Sequence, residues 1–238
     1  MSESVFQFVL RRLVASALAG VAVLSLNSST LEAAAEAPAA VSGQAMVVDG
    51  DTLDIGGHRV RLEGIDAPET SQTCGGRWAG TWNCGQAATK TLIGLINGRD
   101  VSCSSRGSDK YGRTLGVCSI DGTELNAAMV RAGMAWAFVK YSQAYVAVEA
   151  DAKSAGVGVW QGGAEAPWIY REKRWQAAVQ TAPSGCAIKG NVSGKGQIYH
   201  MPWSAWYNRV TVEPARGERW FCTEAEAQKA GWRASQSH

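Results

Sequence analysis

The sequence predicts a five-stranded β-barrel carrying helices, an α+β arrangement. Two observations point there. Short segments of two-residue periodicity come first, separated by strong turn signals. Segments of helical periodicity, closed by Asn-Gly or Gly, then interrupt and follow them. The resulting order is three strands, a helix, two strands, a helix, a short strand and a helix, which suits a small closed sheet with helices packed on it.

Residues 45–49 and 52–55 read as strands broken by an Asp-Gly turn, and Gly56-Gly57 makes the next hairpin turn. Residues 58–65 alternate, with Val60 and Leu62 on one face and Arg59, Arg61 and Glu63 on the other. Pro68 then forbids a continued ladder. Residues 86–96 place Ala88, Leu92, Leu95 and Ile96 on one helical stripe, stopped by Asn97-Gly98. Strands are expected at 99–104 and 111–120, joined by a polar turn. A helix at 126–132, a short strand at 134–139 and a helix at 142–155 complete this part.

Beyond it, residues 161–167 read as a linker, 168–180 as a short helix with Arg171, Lys173 and Arg174, and 181–185 as a second linker. Residues 186–232 form a dense unit with Trp203, Trp206, Trp220 and Trp232. Within that unit, Thr223-Glu224-Ala225-Glu226 is a capping-box pattern. The expected organisation is therefore a leader over 1–35, a low-complexity linker over 36–45, a main domain over 46–161, an extension over 162–185 and a small Cys/Trp-rich module over 186–238.

An apolar fraction of 46% and ten Trp support a true core and argue against disorder. The net charge is only +2, so any affinity for phosphate must come from local arrangement rather than from global charge.

Arg11-Arg12, the apolar run 13–26 and the small residues Ala33-Ala34-Ala35 read as a secretory signal peptide, predicting a secreted or periplasmic protein. The run is short against the about 20 residues of a membrane span. An uncleaved N-terminal anchor, with membrane association through the N-terminus, is the alternative. The six cysteines suit an oxidising compartment, and local pairing, Cys74–Cys84, Cys103–Cys118 and Cys186–Cys222, is the simplest arrangement. No Cys-x-x-Cys spacing suggests zinc or redox chemistry, and the three His show no ligand spacing.

The chemistry concentrates in Val48-Asp49-Gly50-Asp51-Thr52, in Arg61 through Asp66-Ala67-Pro68-Glu69, and in Asp109-Lys110-Tyr111-Gly112-Arg113. Carboxylates at strand ends offer the oxygen ligands that a hard divalent cation takes. Arginines offer planar, bidentate forks for a phosphate. One carboxylate left free can deprotonate water. That is the inventory of a metal-assisted phosphodiester hydrolase.

In order and spacing these residues resemble the staphylococcal nuclease (thermonuclease-like) family. Its pattern is Asp-Gly-Asp-Thr, then Arg-x4-Asp-x-Pro-Glu, then Asp-x-Tyr-Gly-Arg. The likeness runs on through Asp121-Gly122, Asn126, Val130-Arg131-Ala132-Gly133 and the Glu149, Lys153 and Trp160 tail. The resemblance implies an OB-fold barrel and a calcium-dependent nuclease acting on DNA, with RNA left open as a second substrate. It implies Ca2+ ligands Asp51, Asp66 and the backbone carbonyl of Ala67, where some members carry Thr. It implies Glu69 as general base and Arg61 and Arg113 as phosphate clamps.

Asp49 is either a turn residue or an indirect contributor to the metal site. Lys110 and Tyr111 are candidate substrate contacts, and Tyr111 alternatively fills the inner face of its strand. Glu63-Gly64 departs from the apolar residues of some members and adds a charge near the site. The C-terminal module resembles small "sunset" modules of exported bacterial proteins, and no activity comes with it. The rival expectation is a catalytically silent OB-fold that binds nucleic acid or serves envelope attachment. A monomer is expected.

Overall fold

The computed structural model describes residues 40–78 and 80–235. The expected signal peptide and residues 36–39 lie outside the described residues. Five strands form the barrel: β1 (Ala40–Asp49), β2 (Thr52–Ile55), β3 (His58–Leu62), β4 (Asp100–Ser108) and β5 (Thr114–Ile120). They neighbour one another in the order β3-β2-β1-β4-β5 through antiparallel ladders. β3 then pairs with β5 in parallel, Val60 opposite Thr114 and Leu62 opposite Gly116, which closes the barrel. This is the OB-type barrel that the resemblance implies.

Alternation fills its interior. Leu53, Val60, Leu62, Val101 and Cys118 point inward, and Leu92 of helix α1 (Cys84–Ile96) and Met129 of α2 (Leu125–Arg131) cap them. All are buried, each aliphatic side chain contributing about 1.5–3 kcal/mol on the area scale. Asn126 of α2, itself fully buried, ties the sheet to the helix layer. Its amide nitrogen donates to the carbonyls of Glu63 (2.9 Å) and Gly116 (3.1 Å), and its oxygen accepts from the Cys118 N–H (3.1 Å). In α3 (Val146–Ala155) Glu149 accepts from the Ala137 N–H and from Lys153, which lies 4.5 Å from the Trp160 ring centroid.

Three boundaries differ from expectation for identifiable reasons. β1 starts at Ala40, so residues 40–45 of the stretch read as linker are strand; residues 40–44 pair with 104–100 of β4. Backbone ladders supply that pairing, and the bland composition of the segment does not announce it. α3 starts at Val146 rather than at 142, because the Ser142 hydroxyl accepts from the Ala144 N–H and holds a turn there. β5 starts at Thr114 rather than at 111, because the Asp109 carboxylate accepts from the N–H groups of Tyr111 (2.9 Å) and Arg113 (3.0 Å).

Helix α4 (Pro167–Thr181) begins with Pro at its first turn, where the missing N–H costs nothing. Trp168 stacks on Phe138 at 5.5 Å between centroids. The C-terminal module follows as β6 (Ile188–Ser193), β7 (Gly196–His200), β8 (Arg219–Phe221), α5 (Glu224–Lys229) and β9 (Arg233–Ala234), in sheet order β8-β6-β7-β9. It has its own core of Ile188, Tyr199, Phe221, Ala227 and Trp232. Thr223 caps α5 by accepting from the Glu226 N–H, and the Glu226 carboxylate reaches back to the Cys222 N–H. The structure contains the bridges Cys74–Cys84, Cys103–Cys118 and Cys186–Cys222.

Candidate active site

The site is built at one end of the barrel, from the β1–β2 turn upward. A bulge at Val48 shifts the β1–β2 register, so Val47 faces Leu53 while Asp49 faces Thr52. Such an extra residue re-aims the side chains that follow it. Asp49 accepts from the Asp51 N–H at 3.1 Å and closes the turn. Gly50 sits where any Cβ would come within 2.7 Å of the Ala67 methyl and 2.8 Å of that of Ala88, so the turn packs directly on the Asp66 loop and α1. Asp51 is buried. Its Oδ2 accepts from the Ala67 N–H (2.7 Å) and its Oδ1 from the Thr52 hydroxyl (3.2 Å).

Arg61 stands opposite Thr52 in the β2–β3 ladder. Its guanidinium pairs with Asp51 and, through Nη2, with Asp66 Oδ1 at 2.9 Å. Asp66 is fully buried, fixed by the two-residue ladder of Ile65–Asp66 with Trp136–Ala137. Glu69 follows Pro68 on a loop that Gln72 holds: the Glu69 N–H donates to the Gln72 side chain, and the Gln72 N–H donates to the Glu69 carbonyl at 2.7 Å. On the β4–β5 turn, Arg113 is aimed by Asp109, whose Oδ2 accepts from Nε at 2.7 Å.

These groups share one cleft of about 830 Å³. Asp51, Arg61, Ala67, Glu69, Tyr111 and Arg113 line it, with Asp49 beside them. Asp66 lies beneath it, fully enclosed. Lys110 does not line it; the side chain is exposed, and its Nζ lies 4.8 Å from the Tyr111 ring centroid.

Two features of the cleft were not expected. The C-terminal module forms its opposite wall, with Tyr199, Met201, Trp203 and Arg233. And Arg171 of α4 enters the site itself. It donates to Asp66 Oδ2 (2.8 Å), to Asp66 Oδ1 (3.1 Å) and to Glu69 Oε1 (2.8 Å). The helix is seated by Ser71, whose hydroxyl lies 3.1 Å from the Tyr170 hydroxyl and donates to the Trp203 carbonyl at 2.5 Å, and by Arg174, which donates to the Pro202 carbonyl. Three basic residues in one helix were visible in the sequence; nothing there says that one reaches the Asp66 loop.

Burial sets the electrostatics. It pushes the Glu69 carboxyl up to about 7; the Arg171 guanidinium pulls against that, and the neighbouring Asp49 and Asp66 add to it. Burial also raises Asp49, opposed by Arg61. For Arg171, burial opposes the charge, but the contacts with Asp66 and Glu69 outweigh it and raise its pKa further.

The donor chemistry fits a hard cation. Asp51, Asp66 and the Ala67 carbonyl offer oxygen only, and three carboxylates, Asp51, Asp66 and Glu69, pair with two guanidiniums, Arg61 and Arg171. Among the described residues no three acidic, His or Cys side chains converge as a ready metal site. The remaining coordination positions would fall to water and substrate.

The sequence model of the family described as Staphylococcal nuclease homologue matches residues 59–162. A succinoglycan biosynthesis protein, ExoI, of Rhizobium meliloti is 35% identical over 143 residues, spanning 59% of this chain and 74% of that protein. The chain belongs to the staphylococcal nuclease homologue family. A protein of Haemophilus influenzae described as an uncharacterized endonuclease is 34% identical over 60% of this chain and 80% of its own length. A micrococcal nuclease of Shigella flexneri is 34% identical over 52% and 76%. Residues 175–234, the C-terminal part of α4 and the module read above as resembling a sunset domain, match the family model described as ArfC. Arg171 falls between the two matched segments.

Proposed function

We propose that this chain is an exported, calcium-dependent nuclease that hydrolyses phosphodiester bonds of DNA, with RNA as a second candidate substrate. The observation that carries this reading is the convergence of Asp51, Arg61, Glu69 and Arg113 on one cleft, from four separate stretches of chain. Membership of a family that includes a micrococcal nuclease and endonucleases supports it.

In this reading Asp51, Asp66 and the Ala67 carbonyl would hold Ca2+, which when bound would neutralise charge on the phosphate and help organise water. Glu69 removes the proton from the attacking water; a carboxyl raised to about 7 is a stronger base than an ordinary one, and close to neutral pH. Arg61 and Arg113 hold the charge that develops on the phosphate, a role for which a rigid two-pronged donor is suited. Thr52 and the Ala67 N–H keep Asp51 in place. The C-terminal module walls the cleft, and Tyr111 and Trp203 offer ring faces on which bases stack. Lys110, its Nζ over the Tyr111 ring beside the cleft, is a candidate contact for the substrate phosphates.

Three disulfides and the signal-like N-terminal sequence favour an exported protein. Among the described residues no helix is long and apolar enough to cross a membrane. The test is plasmid DNA incubated with the purified chain in calcium and then in excess chelator. Cleavage in calcium alone is expected. DNA bound but uncut in both would replace the reading with that of a non-catalytic binding protein.

A further inference from the structure

Asp66 is a fully buried carboxylate whose two oxygens receive three guanidinium contacts. Two of the three come from Arg171, which also holds Glu69. The two arginines differ in kind. Arg61 is part of a barrel strand, and its contacts follow from the β2–β3 ladder. Arg171 arrives from a helix outside the segment matched to the nuclease family, and its side chain is 23% exposed at the cleft.

We infer that Arg171 is an internal competitor of the divalent cation, a guanidinium that covers both oxygens of Asp66 and must move aside for a cation to take them. The inference rests on the proposed assignment of Asp51 and Asp66 as ligands. Its physical basis is local. A carboxylate offers about four acceptor positions, and Arg171 takes one on each Asp66 oxygen. A cation seeking those positions meets both the donors and a like charge. Arg171 can leave without dismantling α4, because Trp168 on Phe138 and Tyr170 beside Ser71 hold the helix independently. Its long side chain has open cleft to enter. Arg171 thereby sets the calcium concentration at which the site loads, and makes that threshold depend on a part of the chain the barrel alone does not contain.

The experiment is calorimetric titration of calcium into the full chain after chelator treatment, for the wild type and for Arg171→Gln, Arg171→Lys and Asp51→Asn. Arg171→Gln is expected to bind calcium about 10- to 100-fold more tightly, the scale on which groups holding metal ligands act, but with the opposite sign to a supporting residue. Arg171→Lys is expected to fall between, since a point charge cannot cover both oxygens, and it carries the test if the Gln variant does not fold. In melts, Arg171→Gln should be less stable than wild type in chelator yet gain more from calcium. Equal or weaker calcium binding by Arg171→Gln, with Asp51→Asn deficient, overturns the competitor role and leaves the ligand assignment standing. Undiminished binding by Asp51→Asn overturns the ligand assignment and the competitor role with it.

Discussion

Gly85, on the first turn of α1, lies directly against the carbonyl of Glu69: a Cβ at that position would come within 1.7 Å of the oxygen. The candidate base is thus positioned by a helix it does not belong to. The Gly85 N–H donates to the Gln72 carbonyl, and Gln72 holds the Glu69 loop. Gly85→Ala should push that loop outward. The expected result is a loss of stability of about 1–3 kcal/mol, typical of overpacking, together with a larger fall in DNA cleavage than in DNA binding. Urea unfolding and paired cleavage and binding assays check it.

The raised carboxyl of Glu69 gives a signed pH dependence in the cation-free protein. Its folded pKa, about 7, exceeds the ordinary value of 4.5. Between those values the folded state holds a proton that the unfolded state has lost, so stability falls as pH rises from 4.5 to 7 and levels off above. Glu69→Gln should remove that part of the slope. The measurement is unfolding free energy against pH in chelator for both proteins; parallel curves would refute the burial effect.

Arg61 joins the two buried carboxylates of the floor, Asp51 and Asp66. Arg61→Ala should lower turnover by on the order of 100-fold or more, by analogy with removal of a donor that stabilises transition-state charge. Arg61→Lys should recover little, because one ammonium cannot reach both carboxylates and a phosphate. Steady-state cleavage of a labelled oligonucleotide checks both, and near-native turnover in either removes Arg61 from the catalytic set.

The C-terminal module is stapled across a separation of 36 residues by Cys186–Cys222. Replacing both with Ser should cost about 4 kcal/mol on the loop-entropy scale. The cleft wall of Tyr199, Trp203 and Arg233 belongs to the same module. Protease sensitivity of residues 186–235 should therefore rise under reducing conditions, and cleavage of DNA should weaken with it. Limited proteolysis followed by mass spectrometry reads the first effect, and the cleavage assay reads the second.

Much of the barrel was legible because its causes are local. Val60, Leu62, Leu92 and Ile96 recur with the strand and helix periods that bury them, and Asn97-Gly98 ends α1 as a stop signal should. The first strand was read too short, since residues 40–44 gain their order from a backbone ladder with residues 100–104. Lys110, adjacent to cleft-lining Tyr111 in sequence, is not part of the cleft lining; its side chain folds over the Tyr111 ring, with Nζ 4.8 Å from the centroid.

The sequence by itself determined which chemical groups this protein owns: the ordered Asp, Arg and Glu motifs, the six cysteines and the apolar periods of the strands and helices. Those follow from neighbours along the chain, where spacing translates directly into geometry. Tertiary structure alone decided that Arg171 covers Asp66 and Glu69, 105 and 102 residues away, and that a Trp-rich module walls the cleft. An ion pair between distant segments depends on how helix and barrel pack, and no periodicity along the chain carries that information.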